Sequence, residues 1–261
     1  MKLDIVMRTC DHTNVHNDWR VRYCNKPKNE IVKGCVTSLV NSCNIVKDHD
    51  ISLTILDDHS SEDTLNYLKN LPWIRDVDLK IINLEKSGYN NSSYEQWLMC
   101  RDSTADLTYS IEDDYIHCLT AVQEMLESYE IFKSKIPDKE IVIYPFNDPH
   151  LYNPPDAPGF IVTGSHRHWR TALQTTQVLM CTPELYKKYW SIFETLALKY
   201  NGDYLKPRTE HFDENNTIGR IWRSGQALRF SPIPSLALHL QYKEHIEPFI
   251  DWAMWWNEFA H

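Results

Sequence analysis

Three consecutive acids, Glu112, Asp113 and Asp114, stand inside the stretch LTYSIEDDYIHC, which runs from Leu107 to Cys118. Aromatic and apolar residues flank them on both sides. Acids repel one another and normally scatter over a solvated surface. Two physical arrangements hold such a triplet at the end of a buried strand. One is a helix N-terminus, where carboxylates suit the macrodipole. The other is a divalent-cation site. A second acid pair, Asp57 and Asp58, follows the apolar run ISLTIL. Taken alone, such a pair reads as a cap or a solvated loop. Two acid clusters converging on one edge are costly unless a cation or a donor-rich ligand sits between them.

Whether they converge depends on the elements that carry them. LDIVM (3–7), ISLTIL (51–56), LKIINL (79–84) and LTYSI (107–111) read as buried strands. Helical patterns lie between them in IVKGCVTSLVNSC, in SEDTLNYLKNL with Ser60 or Ser61 as its cap, and in SYEQWLMCR. LTAVQEMLESYEIFKSK is a long amphipathic helix. This β-α rhythm predicts an α/β fold with a mostly parallel sheet covered by helices. Ligands of such sheets sit outside the carboxyl ends of the strands. The polar strand ends, RTCD (Arg8 to Asp11), Asp57-Asp58 and EDD, are therefore the positions to examine for function.

The second half loses this rhythm. EIVIYPF reads as a strand, NDPHLYNPPDAPGF as a Pro-rich loop and TGSHRHWRT as a basic, aromatic loop. QVLMCT reads as a strand, and Thr182-Pro183-Glu184 opens a helix with Pro in its first turn. DENNTIGRIWRSG is expected to be helical, SLALHLQ a last strand and IEPFIDWAMWWNEF a terminal helix. In the terminal helix, Trp252, Trp255 and Trp256 stand at helical spacing and are expected to serve core packing or a homodimer contact rather than a binding platform.

The chain has 261 residues, 42% hydrophobic and 24% charged, with a net charge of −9. These values fit one large domain, or one domain with a small appendage, with a real core, and disfavour disorder or a broad nucleic-acid-binding face. The opening MKLDIVMRTCDH is too short and polar for a signal peptide, and no apolar run approaches the ~18 residues of a membrane span. Seven cysteines without a C-x-x-C pair fit reduced thiols and a cytoplasmic setting rather than a zinc cluster or a disulfide framework.

LDIVMRTCD followed by LTILDDHSSEDTLNYL resembles the opening of family-two-like glycosyltransferases with the GT-A fold, in which a strand ends in Asp-Asp-Gly-Ser-x-Asp. Here that motif is Asp57-Asp58-His59-Ser60-Ser61-Glu62-Asp63, with His59 where the family usually has Gly. YSIEDDY is similar to the family's D-x-D metal motif in a Glu-Asp-Asp form. The resemblance covers residues 3–118 and is looser to 240. Around Lys86-Ser87-Gly88-Tyr89-Asn90 the family's Gly is kept, but not the run that usually follows.

The resemblance implies a nucleotide-sugar-binding half over 1–118 and an acceptor-side half over 119–261 of the same domain. It implies a nucleotide-diphosphate sugar donor, UDP favoured, and a hard cation, Mn²⁺ or Mg²⁺, to stabilise the leaving diphosphate. Asp114 should bind the metal. Glu112 and Asp113 should contact the ribose, the donor sugar or metal-bound water. Asp57 should address the base or ribose, and Arg8, Thr9 and Asp11 the base pocket, with Gly88 nearby. His239 is the downstream candidate for the metal or diphosphate, ahead of His245 and Lys243. An inverting transfer also needs a base for the acceptor hydroxyl. Asp213 is the first choice and Glu214 the second, the competing role of Asp213 being a helix cap. In GSHRHWR, Trp169 is a candidate for stacking on a sugar or base, and Arg167 or Arg170 for holding a phosphate.

The acceptor class is open among glycan, protein, small molecule and a hydroxymethylated nucleic-acid base. Two other functions compete. A nucleotidyltransferase usually carries a Gly-rich loop after its first strand, and RTCDHTNVHNDWR has no glycine. A non-catalytic sugar-nucleotide or carbohydrate-binding protein does not need an acid at position 213.

Overall fold

A computed structural model describes residues 1–12, 26–76, 79–149, 159–173, 176–200, 212–241 and 246–261. In chain order the elements are β1 (Lys2–Thr9), α1 (Lys28–Asn44), β2 (Asp50–Asp57), α2 (Glu62–Lys69), β3 (Leu79–Asn83), α3 (Tyr89–Asp102), β4 (Leu107–Ile111), β5 (Tyr115–His117) and α4 (Ala121–Lys135). There follow β6 (Glu140–Ile143), β7 (Ile161–Thr163), β8 (His168–Thr171), β9 (Leu179–Cys181), α5 (Pro183–Lys188), α6 (Trp190–Lys199), α7 (Gly219–Arg223), β10 (Ala227–Ile233), β11 (Ala237–His239) and α8 (Trp252–Phe259).

Nine strands form one sheet in the order β3-β2-β1-β4-β9-β6-β10-β8-β7. β1 runs parallel to β2 and β4, β2 to β3, and β6 to β10. β9 runs against both β4 and β6, so β4 and β6 still point the same way. The fold is α/β, a mostly parallel sheet flanked by helices, as the GT-A resemblance implies. β1 shows why its strands read as apolar runs. Leu3, Ile5 and Met7 enter the cluster built with α1 and α4, while Val6 enters the one built with α3, α5 and α6. A strand buried on both faces cannot alternate with polar residues.

β5 and β11 form a separate antiparallel ribbon that sets His239 opposite Tyr115. This ribbon carries a residue from late in the chain back to the end of β4.

Several sequence expectations are corrected. The helix expected over 213–225 is confined to Gly219–Arg223, preceded by turns. The Asp213 carboxylate accepts from Asn216 N at 2.7 Å, and its carbonyl accepts from Thr217 Oγ1 at 2.5 Å. Short polar side chains here compete with the helix ladder. The segment TGSHRHWRT is not a loop but most of the β7–β8 hairpin. β10 does not read as a strand in the sequence, since Arg229 and Pro232 argue against one, yet Pro232 sits in its pairing with β8. In α8, Trp256 is buried over Gly34 of α1. It therefore belongs to this chain's own core. On the outward side of this helix Met254 is 56% exposed.

Candidate functional site

Polar side chains gather at the carboxyl ends of β1 and β4. These ends are locked together by Gln96 of α3, whose amide donates to Val6 O at 2.7 Å and Ile111 O at 2.8 Å. Beyond this clamp, Arg8 Nη2 donates to Glu112 Oε1 at 2.6 Å. Arg8 Nη1 donates to Ser93 Oγ at 2.6 Å, and the guanidinium lies 4.9 Å from the centre of the Tyr89 ring. Tyr89, Ser92, Ser93 and Gln96 share one face of α3 by their helical spacing. Burial would lower the Arg8 pKa, but Glu112, Tyr89 and Asp113 together outweigh it and raise it. Burial also pushes Glu112 above the usual carboxylate range, with Arg8 opposing and Asp114 adding to the rise.

Glu112, Asp114 and His239 each offer a ligand atom, and these atoms all lie within 4.8 Å of one another. His239 Nε2 is 3.5 Å from Asp114 Oδ1. The β5–β11 ribbon makes this meeting, since Leu240 N donates to Asp114 O at 2.8 Å. The imidazole stacks on the Tyr115 ring at 4.4 Å and 9°. Burial alone would lower the His239 pKa; the Asp114 carboxylate reverses this and raises it. Two carboxylates and one imidazole in reach of a common point form a donor set that fits a divalent cation.

Asp113, the middle acid, faces elsewhere. It ion-pairs with Lys28 at the start of α1 and accepts from Cys10 N at 2.8 Å. Asp113 and Asp114 follow one another in the turn between β4 and β5, and their carboxylates meet different partners.

The second acid cluster organises the backbone. Asp57 Oδ1 accepts from Thr9 Oγ1 at 3.0 Å and Oδ2 from Ser60 N at 2.9 Å, and Asp57 is 1% exposed. Asp58 Oδ2 accepts from Gly88 N at 2.8 Å. Gly88 caps α3 at φ +115, a conformation open only to glycine. His59 holds φ +61. The position where the family usually has Gly does require a left-handed backbone, and His59 meets it with Nδ1 3.0 Å from Asp58 Oδ1. Asp11 accepts from Ser61 N at 2.9 Å and from Ser61 Oγ and Thr64 Oγ1 at 2.5 Å each. Burial would raise its pKa, but these donors hold it below the usual range. Asp11 thus secures the start of α2, where Ser61 is the N-cap.

Glu214, not Asp213, faces the cluster. Gln177 Nε2 donates to Glu214 Oε1 at 3.2 Å and to the Tyr89 hydroxyl, while Gln177 Oε1 accepts from Ser93 Oγ at 3.2 Å. Burial pushes the Glu214 carboxyl up to about 7, with Glu112 among the contributing charges. Burial, Glu214 and Glu112 together hold the Tyr89 hydroxyl well above its ordinary value. Gln177 reaches this place because β9 runs against β4, which brings its beginning to the end of β4. Tyr89, Ser93, Tyr115 and Gln177 were not singled out from sequence. The helical spacing of Tyr89 and Ser93 in "GYNNSSYEQW" was the one available signal.

Trp169 and Arg170 do not join this cluster. Trp169 is 0% exposed and packs edge-on against Phe132 at 5.8 Å, so it cannot stack on a ligand. β8 lies four strand spacings from β4, roughly 19 Å, which takes Arg170 out of reach of the acids there. Arg167 is engaged by Glu124 through Nε at 2.6 Å and Nη2 at 2.8 Å. Lys243 and His245 lie outside the described residues.

No protein-family model matches the chain. No curated protein matches it either. Among solved structures, it is similar to S. aureus TarS 1-349, at 14% identity and TM-score 0.42 over 72% of this chain and 49% of that one. The same protein in complex with UDP matches at 13% identity and TM-score 0.43, over 76% and 55%. Its complex with UDP-GlcNAc matches at 12% and 0.42, over 76% and 54%. The chain spans about half the length of these TarS 1-349 structures.

Proposed function

We propose that this protein is a metal-dependent glycosyltransferase that moves a sugar from a nucleotide-diphosphate sugar, UDP-linked by preference, to an acceptor hydroxyl with inversion. The observation that carries the proposal is the meeting of Glu112, Asp114 and His239 at the carboxyl edge of the sheet. These three residues would hold Mn²⁺ or Mg²⁺, and the mixed oxygen and nitrogen donors favour Mn²⁺. The bound cation would supply charge neutralisation for the departing diphosphate.

The chain's own groups supply the rest. Arg8 orients Glu112 and offsets its charge while the site is free of metal. Glu214 is the group to take the acceptor's proton, since its pKa of about 7 sets it near neutral pH, where a base works best. Gln177 fixes its Oε1. Asp213, the expected first choice, instead holds the turn that presents Glu214. Residues 1–118 form the nucleotide-sugar half in this scheme and 119–261 the acceptor half.

The test is turnover of a panel of nucleotide sugars with Mn²⁺, read as released nucleoside diphosphate, beside Mn²⁺-dependent thermal stabilisation by the same compounds. Donor turnover that stops on chelation and in Asp114→Ala supports the proposal. Binding without turnover points to a sugar-nucleotide-binding protein, and neither signal with any donor rejects the site.

A further inference from the structure

On β10, Leu228 and Phe230 alternate with Arg229 and Ser231, and Phe230 points into the apolar cluster. Arg229 is on the opposite face and only 1% exposed. None of its three guanidinium nitrogens has a hydrogen-bond partner among the described residues. Its guanidinium carbon lies 3.9 Å from the centre of the Tyr144 ring, and Tyr144 and Tyr115 both act to keep it charged. A ring face attracts the charge but accepts none of its in-plane N–H groups as a carboxylate would. Asp148 acts on Arg229 only through space. Burial pulls the guanidinium down to about 10, so it remains a cation at neutral pH.

A buried cation without a hydrogen-bond partner among the described residues departs from the rule that buried charges are paired. A second arginine lies beside it. Arg170 is directly across from Ser231 in the antiparallel β8–β10 pair, so it shares the face of Arg229 one step along the diagonal. The place also connects to the candidate cation site. The Tyr144 hydroxyl is 3.3 Å from the Tyr115 hydroxyl, and the Tyr115 ring stacks on His239 at 4.4 Å. Two aromatic rings thus separate Arg229 from a candidate metal ligand.

We infer that Arg229 anchors a second, anion-binding subsite on the acceptor side, and that the hydroxyl acceptor carries a phosphate-type oxyanion that pairs with it. Guanidinium groups match phosphate geometry, which a buried guanidinium can meet through its in-plane N–H groups. The link to the acceptor rests on the proposed glycosyl transfer; the anion subsite itself does not. Because Arg229 is enclosed, uptake requires a local opening, and binding is read at equilibrium.

The experiment is thermal unfolding of the whole chain, of Arg229→Met and of Arg229→Lys. Each is measured in metal-free buffer, with inorganic phosphate, and separately with UDP and Mn²⁺. Without ligand, Arg229→Met is expected to melt higher than the parent, since an apolar side chain replaces an unpaired buried charge. Phosphate should raise the parent's midpoint, raise that of Arg229→Lys less, and leave Arg229→Met unmoved. UDP with Mn²⁺ should stabilise the parent and Arg229→Met equally. If both variants melt lower and phosphate does nothing to the parent, Arg229 is a brace on Tyr144 and the inference is overturned. If Arg229→Met loses the UDP response together with the phosphate response, the anion is the donor's own diphosphate, which also overturns it. A parent that responds to phosphate but not to UDP with Mn²⁺ rejects the glycosyl-transfer proposal and leaves the anion subsite standing.

Discussion

Replacing Glu214 by Gln separates two effects that this carboxyl is expected to combine, one on stability and one on rate. Its pKa rises from an ordinary 4.5 to about 7 in the folded chain, through burial first and the nearby Glu112 charge among the lesser causes. The unfolded chain therefore begins to lose this proton near pH 4.5, while the folded chain keeps it to about 7. Where the folded state holds more protons, stability falls as pH rises. The favourable contribution is complete below pH 4.5 and lost by about pH 7. The full difference corresponds to ~3 kcal/mol at 1.36 kcal/mol per pH unit. The side chain is only partly enclosed, so screening reduces this to roughly 1–3 kcal/mol. Glu214→Gln should thus match the parent in urea unfolding at pH 4 and exceed it by that amount at pH 8, in metal-free buffer. Its turnover should fall by about 10²–10⁴-fold, because glutamine takes no proton. In the parent, kcat/KM should fall tenfold per pH unit below the Glu214 pKa. A variant with the parent's stability at pH 8 and the parent's turnover would refute the argument, because neither the burial nor the chemistry would then act through this carboxyl.

The remaining expectations are more local. Asp114→Ala and His239→Ala should each remove Mn²⁺-dependent stabilisation by UDP, worth ~2.7 kcal/mol at a hundredfold excess over Kd, while circular dichroism shows an unchanged fold. Asp213→Asn keeps the oxygen that accepts from Asn216 N and should turn over normally, whereas Asp213→Ala should cost about 0.5–2 kcal/mol in urea unfolding. His59→Gly should be neutral or stabilising within ~1 kcal/mol because the left-handed backbone is already imposed, and His59→Val should lose more than that. In Gly34→Ala the new methyl would lie 2.5 Å from the Trp256 ring, so about 1–3 kcal/mol should be lost as α8 is displaced, seen as a shift in tryptophan fluorescence.

The alternation of apolar runs with amphipathic segments was enough to give the six elements from β1 to α3, β4 and α4, because each is a local pattern with a period of its own. The strand ends followed from that order, since a parallel sheet sends successive strand ends to one edge. The Ser61 cap and the Thr182-Pro183 helix start were also legible, each being a short-range hydrogen-bond or backbone rule. The division of labour inside the acid clusters was not. Asp113 turned to Lys28, Asp11 to α2 and Asp57 to Thr9 because partners far along the chain came within reach. No window of sequence contains those distances. His239 illustrates the boundary. Its place after an apolar strand was visible, but its meeting with Asp114 was decided by the antiparallel β5–β11 pairing. Gln177 was likewise brought to Glu214 and Arg8 by a reversed strand, and Trp169 was carried into the core by a hairpin that looked like a loop. Residue types and local periods were set by neighbours in the chain. Pairing, burial and the direction each side chain faces were set by packing across it, where contacts far apart in sequence outweigh local preference.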